Sequence, residues 1–284
     1  MIALERKIPA LDGRELKATL FEPERPVAAV IVSSATAVPR RFYRAFAESL
    51  MRAGAAVLTY DYRGSGDDPQ ELRRSDARMR DWGEKDFAGA IDWMRTCYAP
   101  LPLHAVGHSV GGHALFLAPN NAQLTRVVAV ASQSGYWRLY RGIERYRVFA
   151  FMSTIMPLAT RVYGYFPGRA LRFGEDLAPG VLYEWSRWCA SPGYFFDDPS
   201  MQDALANSQS LRASTLMIGL SDDPWGTRRA IDAVVRGFTS ASISRLELDP
   251  RIAGVKRIGH MGFFRAENGA ALWPIVTKFL QIGA

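Results

Sequence analysis

The segment 103–112, LHAVGHSVGG, places a serine between two glycines in the pattern Gly-x-Ser-x-Gly. By composition alone this pattern would arise in about one chain in ten of this length, so its setting matters more than the pattern itself. An apolar, strand-like run leads into Ser109, and a helix-like run follows it. A nucleophile elbow requires this strand–turn–helix context, because only small residues fit beside a serine on so tight a turn. The segment predicts that Ser109 presents its hydroxyl at the carboxyl edge of a sheet.

A serine hydroxyl needs a base to take its proton and an acid to orient that base. Of the four histidines, only His260 follows Ser109 at a useful distance. His113 comes one turn into the following helix and should face away from the serine. His104 and His108 lie on the preceding strand, and we interpret His108 as a packing or pocket-lining residue. None of the four has the spacing of metal ligands, so no metal site is predicted.

The acid should come between the serine and the histidine, after a buried strand. The apolar run 214–220 is followed by Ser221-Asp222-Asp223-Pro224, so two aspartates are candidates. We favour Asp222, because Gly-x-x-Asp after a buried strand is the usual placement. Asp223 would then be a turn residue held before the proline, although it could also serve as the acid.

The elements that must position these residues alternate between apolar runs and amphipathic runs. Two short alternating runs, 2–8 and 15–21, are separated by a Leu-Asp-Gly turn and predict an antiparallel hairpin. The other predicted strands are 27–34, 55–61, 101–108, 126–132, 214–220 and 242–249. The predicted helices are 40–53, 81–97, 111–118, 226–238 and 269–281. Strands that alternate with helices predict an α/β fold whose sheet is parallel with right-handed crossovers.

The alternation stops after residue 134 and resumes near residue 210. Residues 135–200 contain 16 of the 33 aromatic residues of the chain and no clear buried strand. We therefore predict an α/β core formed by 1–134 and 210–284, interrupted by a helical cap insertion at 135–209. The aromatic residues of this insertion could form the cap's own core or line a pocket over Ser109. Because such pockets are mostly apolar, we expect a substrate with a hydrophobic acyl or leaving group.

Composition excludes several other classes of protein. The 284 residues are 48 % hydrophobic and 22 % charged, which is ordinary for a globular chain. The net charge is +7, but the arginines are spread along the chain and form no basic arm, so we predict no nucleic-acid partner. The most apolar run, 148–159, has about a dozen residues including a proline, which is too short for a membrane span. The expected partner is a small-molecule acyl substrate, and the sequence does not indicate an oligomeric state.

The two cysteines, Cys97 and Cys189, are far apart and have no metal or redox spacing. A disulfide framework would need more of them, so a reducing compartment is expected. The N-terminal residues lack the charged start and unbroken apolar core of a signal peptide. A cytoplasmic protein is the resulting expectation.

Three segments together resemble the α/β-hydrolase superfamily, and the similarity covers nearly the whole chain. They are 61–64 (DYRG), 107–112 (GHSVGG) and 258–265 (IGHMGFFR). Within the superfamily they are similar to bacterial hydrolases of the serine aminopeptidase and monoacylglycerol lipase type. The resemblance implies an eight-stranded, mostly parallel sheet, with the cap inserted after the sixth strand. We assign no chemistry to the first segment and expect it to form a structural loop at the sheet edge.

The resemblance also implies an oxyanion hole. One donor would be the backbone N–H of Val110, directly after the serine. The second would come from the loop after strand 27–33, where many relatives carry His-Gly and this chain has 33–38, SSATAV. Backbone donors need no particular side chain, and we favour Thr36 over Ala35.

The expected activity is that of a serine hydrolase that cleaves a carboxylic ester, or a thioester or amide, through an acyl-enzyme. No metal or organic cofactor is expected. One alternative keeps the fold and transfers the acyl group to an acceptor other than water. Another is a non-catalytic ligand-binding homologue, although a binding role would need no ordered Ser, Asp and His.

Overall fold

The computed structural model describes residues 2–238 and 242–283. The eight strands, all in one sheet, are β1 (Ile2–Pro9), β2 (Glu15–Glu22), β3 (Ala28–Ser33), β4 (Ala55–Tyr60), β5 (Leu103–His108), β6 (Arg126–Val130), β7 (Ser214–Leu220) and β8 (Ile243–Leu248). Their order across the sheet is β1-β2-β4-β3-β5-β6-β7-β8. β1 and β2 form the expected antiparallel hairpin, β2 is antiparallel to β4, and the remaining neighbours are parallel. The predicted eight-stranded, mostly parallel sheet is confirmed.

The helices fill the connections between the strands. They are α1 (Arg44–Arg52), α2 (Pro69–Arg74), α3 (Ala88–Tyr98), α4 (Val110–Leu117), α5 (Glu144–Ala150), α6 (Met156–Tyr163), α7 (Pro179–Ala190), α8 (Gln202–Ser208), α9 (Arg228–Gly237), α10 (Gly259–Gly262) and α11 (Ala266–Leu280). The predicted helix at 40–53 begins with a 3₁₀ turn, Arg40–Tyr43, and the one at 81–97 begins with a π-helical segment, Trp82–Phe87. The short helix α2 was not predicted, because its six residues show no apolar period.

The core lies in two layers, one on each face of the sheet. Every residue of β3, β4 and β5 is buried, as expected for strands that are covered on both sides. Alternate residues of β3 enter opposite layers, so Ile31 packs in one cluster and Val30 in the other. Helices α3 and α4 cover the first face, and α1 and α11 cover the second. This packing fixes the carboxyl ends of β3, β5 and β7, which directly precede the loop with Thr36, the turn with Ser109 and the turn with Asp222 and Asp223.

The connection between β6 and β7 contains α5 to α8. A π-helical segment, Phe151–Ile155, joins α5 to α6, so that helical backbone continues from 144 to 163. This is the region predicted as a cap at 135–209, although its limits as a separate domain stay a prediction. Residues 1, 239–241 and 284, which belong to the predicted core, lie outside the described residues. Among the helices that the structure describes, none is long and apolar enough to cross a membrane.

Both cysteines have free thiols. Cys97 is exposed on α3, and Cys189 is buried on α7. The reducing, cytoplasmic environment expected from the cysteine count stays a prediction.

Candidate active site

Ser109 lies on the tight turn between β5 and α4. Its backbone has φ 54° and ψ −121°, a strained conformation for a residue with a side chain. Its N–H donates to the carbonyl of Val130 at 2.9 Å, which ties the turn to β6. A Cβ at Gly107 would lie 2.5 Å from the carbonyl oxygen of Gly111, and a Cβ at Gly111 would lie 2.3 Å from that of Ser33. Both glycines are therefore required by backbone contacts.

Two backbone N–H groups are available beside Ser109. Val110 is the first residue of α4, so its N–H has no acceptor within the helix. In the loop after β3, the N–H of Ala35 donates to the Tyr43 hydroxyl at 2.9 Å and is thereby engaged. Thr36 lines the same cavity as Ser109 and Val110, and no acceptor in the described part of the chain takes its N–H. This arrangement favours Thr36 over Ala35 as the second donor.

The residue that holds His260 is Asp223. Its Oδ2 lies 2.7 Å from His260 Nδ1, and its Oδ1 accepts the N–H of Trp225 at 2.8 Å. Because a carboxylate only accepts, His260 Nδ1 carries the proton and Nε2 is the basic atom of the neutral ring. The Asp223 side chain is fully buried and that of His260 nearly so.

The preference for Asp222 as the acid is therefore corrected. Its two oxygens accept the backbone N–H groups of Ile258, at 2.9 Å, and Gly259, at 2.8 Å. These bonds hold the loop that leads into His260, so Asp222 acts on the backbone of that loop and not on the imidazole. The turn after β7, in which the N–H of Asp223 donates to Leu220, directs the second aspartate towards the histidine.

One residue of the sequence, Gly226, could have pointed to Asp223 as the acid. A Cβ at Gly226 would lie 2.4 Å from Asp223 Oδ2, so the backbone there must come unusually close to that carboxylate. Burial by itself would raise the pKa of Asp223, but hydrogen bonds from His260 and from the N–H groups of Gly226 and Trp225 outweigh it and lower that pKa. The structure therefore favours an ionised Asp223 beside the His260 imidazole.

Ser109 and His260 both line a cavity of about 580 Å³, a size typical of small-molecule sites. Its other walls come largely from the segment between β6 and β7. From that segment the lining residues are Gln133, Gly135, Tyr140, Glu144, Arg147, Val148, Ala150, Phe151, Met152, Ile155, Phe173, Trp185, Cys189 and Tyr194. The π-helical segment supplies three of them. The cavity is thus mostly apolar, with a serine and a histidine at one wall.

The aromatic residues of 135–200 divide between the two roles considered for them. Those that line the cavity are Tyr140, Phe151, Phe173, Trp185 and Tyr194. Phe166 and Trp188 are buried but do not line it, whereas Phe149 and Tyr163 are exposed. The sequence could not separate these groups, because the cavity-lining aromatic residues come from turns and from helices alike.

His108 has a role that sequence reasoning missed. Its ring is fully buried, and its two nitrogens lie 2.8 Å from the Tyr43 hydroxyl and 2.9 Å from the carbonyl oxygen of His260. Burial, together with the nearby His260, lowers the pKa of His108 to about 3, so its ring is neutral. No pattern in the sequence indicated this link, because its partners are 65 and 152 residues away.

The remaining histidines lie apart from the cavity. His113 is buried, does not line the cavity, and packs against Tyr194 and Phe195. His104 is buried near the start of β5. Within residues 2–238 and 242–283, no three His, Cys, Asp or Glu side chains are grouped closely enough to hold a metal ion.

The DYRG loop after β4 is held by ion pairs. Arg63 is buried, with its guanidinium 2.6 Å from Asp86 and 2.7 Å from Asp12. Asp61 accepts the N–H of Arg40 at 2.7 Å. Neither Asp61 nor Arg63 lines the cavity, which fits the structural role expected for this loop.

Comparison with solved structures reveals many of the same architecture. An esterase domain from Rhodothermus marinus covers 100 % of both chains at 15 % identity, with a TM-score of 0.58. The alpha/beta hydrolase GrgF from Penicillium sp. sh18 is 16 % identical over 99 % of this chain and 100 % of its own, with a TM-score of 0.62. A thermostable carboxyl esterase from Bacillus coagulans is 14 % identical over 99 % of each chain, with a TM-score of 0.57. At these identities the likeness shows the fold alone.

Sequence comparison gives the family. No curated protein sequence is significantly similar to the chain. The sequence model of the alpha/beta hydrolase family, however, matches residues 29–272, which is most of the chain and includes the elbow, both aspartates and His260. The chain therefore belongs to the alpha/beta hydrolase family.

Proposed function

We propose that this protein is a serine hydrolase that cleaves a carboxylic ester with a hydrophobic acyl or alcohol group. One observation carries the proposal: His260, held by Asp223 at 2.7 Å, lines the same cavity as the strained elbow serine Ser109. Membership of the alpha/beta hydrolase family and structural neighbours that are esterases support hydrolase activity.

In the proposed reaction, Ser109 Oγ attacks the ester carbonyl carbon while His260 Nε2 takes the hydroxyl proton. Asp223 orients the imidazole and stabilises its charged form. The tetrahedral intermediate collapses when His260 returns the proton to the departing alcohol oxygen, which leaves an acyl-enzyme on Ser109. Water, deprotonated by His260, then attacks the acyl-enzyme carbonyl, and His260 returns that proton to Ser109 Oγ as the acid is released. Every step uses groups of the chain and water.

The negative oxygen of the intermediate would accept hydrogen bonds from the N–H groups of Val110 and Thr36. Loss of one such donor typically raises the barrier by about 3 kcal/mol. Support for this pair comes from their place at the cavity wall and from the engagement of the Ala35 N–H by Tyr43.

The substrate class follows from the cavity. Its apolar walls would bury a hydrophobic acyl or alcohol group, and its volume exceeds the need of an acetyl ester. We propose that the helical segment 135–209 acts as the cap that sets this specificity. Thioesters and amides with the same hydrophobic group are the other carbonyl substrates that this chemistry allows.

The first test is labelling by a fluorophosphonate probe. We expect the wild-type protein to be labelled and to hydrolyse p-nitrophenyl esters, with medium-chain esters turned over faster than acetate. Ser109→Ala and His260→Ala should lose both labelling and hydrolysis. Circular dichroism should show that both variants are folded, so that misfolding does not explain the loss.

Three other results would change the conclusion. Faster turnover of acetate than of medium-chain esters would overturn the hydrophobic specificity. Partitioning of the acyl group to an added alcohol or amine in preference to water would identify an acyltransferase. Absence of both labelling and turnover in the wild type would overturn the hydrolase proposal in favour of a binding protein.

A further inference from the structure

We infer that Tyr43 and His108 are positioning residues that join the second oxyanion donor to the catalytic base. The inference rests on the proposed function and adds two residues to it. Three hydrogen bonds carry it, from Ala35 to Tyr43, from Tyr43 to His108 and from His108 to His260.

The chemistry of the groups fixes the direction of every bond. The carbonyl oxygen of His260 can only accept, so His108 Nε2 donates to it at 2.9 Å. A neutral imidazole has one N–H, so His108 Nδ1 is an acceptor and takes the Tyr43 hydroxyl proton at 2.8 Å. The Tyr43 oxygen in turn accepts the N–H of Ala35 at 2.9 Å. Each of the three hydrogen bonds therefore joins one donor to one acceptor, and a single arrangement of protons satisfies all of them.

Packing leaves these two rings little freedom. Tyr43 and His108 are both fully buried, and Phe264 packs against them with ring centroids 5.0 and 4.8 Å away. Tyr43 ends the 3₁₀ turn before α1, and His108 ends β5 directly before Ser109. The network is thus anchored on two regular elements.

The network ends beside the two parts of the site that must hold their distance from Ser109: at Ala35, next to the second donor Thr36, and at the backbone of His260. Ala35 directly precedes Thr36, so its bond to Tyr43 sets where the Thr36 N–H points. The carbonyl of His260 belongs to the base itself, so its bond to His108 fixes the backbone from which the imidazole extends. Neither Tyr43 nor His108 lines the cavity, so neither contacts substrate.

This arrangement predicts a loss in kcat without a matching change in KM. Displacement of a donor or base by about 1 Å can cost about a hundredfold in rate, whereas the apolar walls that bind substrate remain intact. Tyr43→Phe leaves the Ala35 N–H and His108 Nδ1 unpaired and should lower kcat about tenfold to a hundredfold. His108→Leu should lower kcat to a similar extent, and His108→Gln, which keeps an amide donor near Nε2, should recover much of it.

Two matched controls separate positioning from general loss of stability. Tyr98→Phe removes a hydroxyl that donates to Glu22 at 2.6 Å, and neither residue lines the cavity. His104→Gln replaces a buried histidine at the other end of β5. Both controls should keep kcat within about twofold of the wild type, even where thermal unfolding shows a loss of stability similar to that of the network variants.

An unchanged kcat in Tyr43→Phe, beside a wild type that is labelled by fluorophosphonate, would overturn the inference and leave the proposed function intact. A wild type with no activity would overturn the proposed function instead. In that case, amide NMR still tests the network, because Tyr43→Phe and His108→Leu should each shift the signals of both Thr36 and Met261. Shifts confined to the neighbourhood of the altered residue would overturn it.

Discussion

Asp223 Oδ2 lies 2.7 Å from His260 Nδ1, in a position where the preceding aspartate was expected. Both carboxylates serve the same loop, but in different ways. Asp223 receives the imidazole N–H, whereas Asp222 receives the backbone N–H groups of 258 and 259. One of the adjacent acids thus orients the imidazole of His260, and the other holds the backbone of the loop that leads into it.

This division predicts unequal effects of the same substitution. Asp223→Asn should lower kcat by about 10⁴-fold, because an amide can hold the wrong tautomer of His260. Asp222→Asn keeps an oxygen that can accept one of the two N–H groups, so kcat should fall by no more than about tenfold. Steady-state kinetics on a p-nitrophenyl ester and the rate of fluorophosphonate labelling would measure both. A larger loss in Asp222→Asn would contradict the assignment of the acid.

The lowered pKa of Asp223 predicts how its contribution to stability varies with pH. Its hydrogen bonds favour the ionised form, so the folded-state pKa is below the ordinary value near 3.8. The stability from the ionised group is therefore complete above about pH 4 and is lost as the pH falls through the lowered value. The difference in unfolding free energy between wild type and Asp223→Asn should persist above pH 4 and shrink below it. A difference that grows in acid would contradict this sign.

The ion pair of Arg63 with Asp86 predicts a large effect on stability with no effect on chemistry. Arg63→Met would leave the fully buried Asp86 carboxylate without its cation, which typically costs about 3 to 5 kcal/mol. Urea unfolding should show this loss, while kcat per labelled active site stays near the wild-type value. The double variant Arg63→Met/Asp86→Leu, which removes both charges, should recover much of the lost stability. If the two variants unfolded at a similar urea concentration, the unpaired charge of Asp86 would not be the cause of the lost stability.

The apolar cavity predicts that its volume limits the length of the substrate. Val148 lines it from α5 and is only partly buried, so a larger side chain there would extend into the cavity. Val148→Trp should lower kcat/KM for medium-chain p-nitrophenyl esters by about tenfold or more, since a filled pocket forfeits apolar contacts. The acetyl ester, measured on the same variant, should be affected by less than about threefold. An equal loss on both esters would place the effect outside the acyl or alcohol pocket.

The sequence by itself determined the sheet and two of the candidate site residues, Ser109 and His260. Apolar runs and helical periods act locally, so they revealed all eight strands, and the glycines around Ser109 revealed a turn that no larger residue could occupy. His260 was identified because it is the only histidine that follows Ser109 at a useful distance.

Only the tertiary structure decided between Asp222 and Asp223, because the directions of two adjacent side chains depend on a few backbone angles in the turn after β7. It also revealed the link through Tyr43 and His108, whose partners are brought together by the sheet from distant parts of the chain. The aromatic residues that line the cavity were equally undetermined by sequence, because their position beside the serine depends on how segments distant in the chain pack together. Strand and helix patterns depend on residues near each other in the sequence, so the sequence shows them. Contacts between distant segments form only when the sheet brings those segments together.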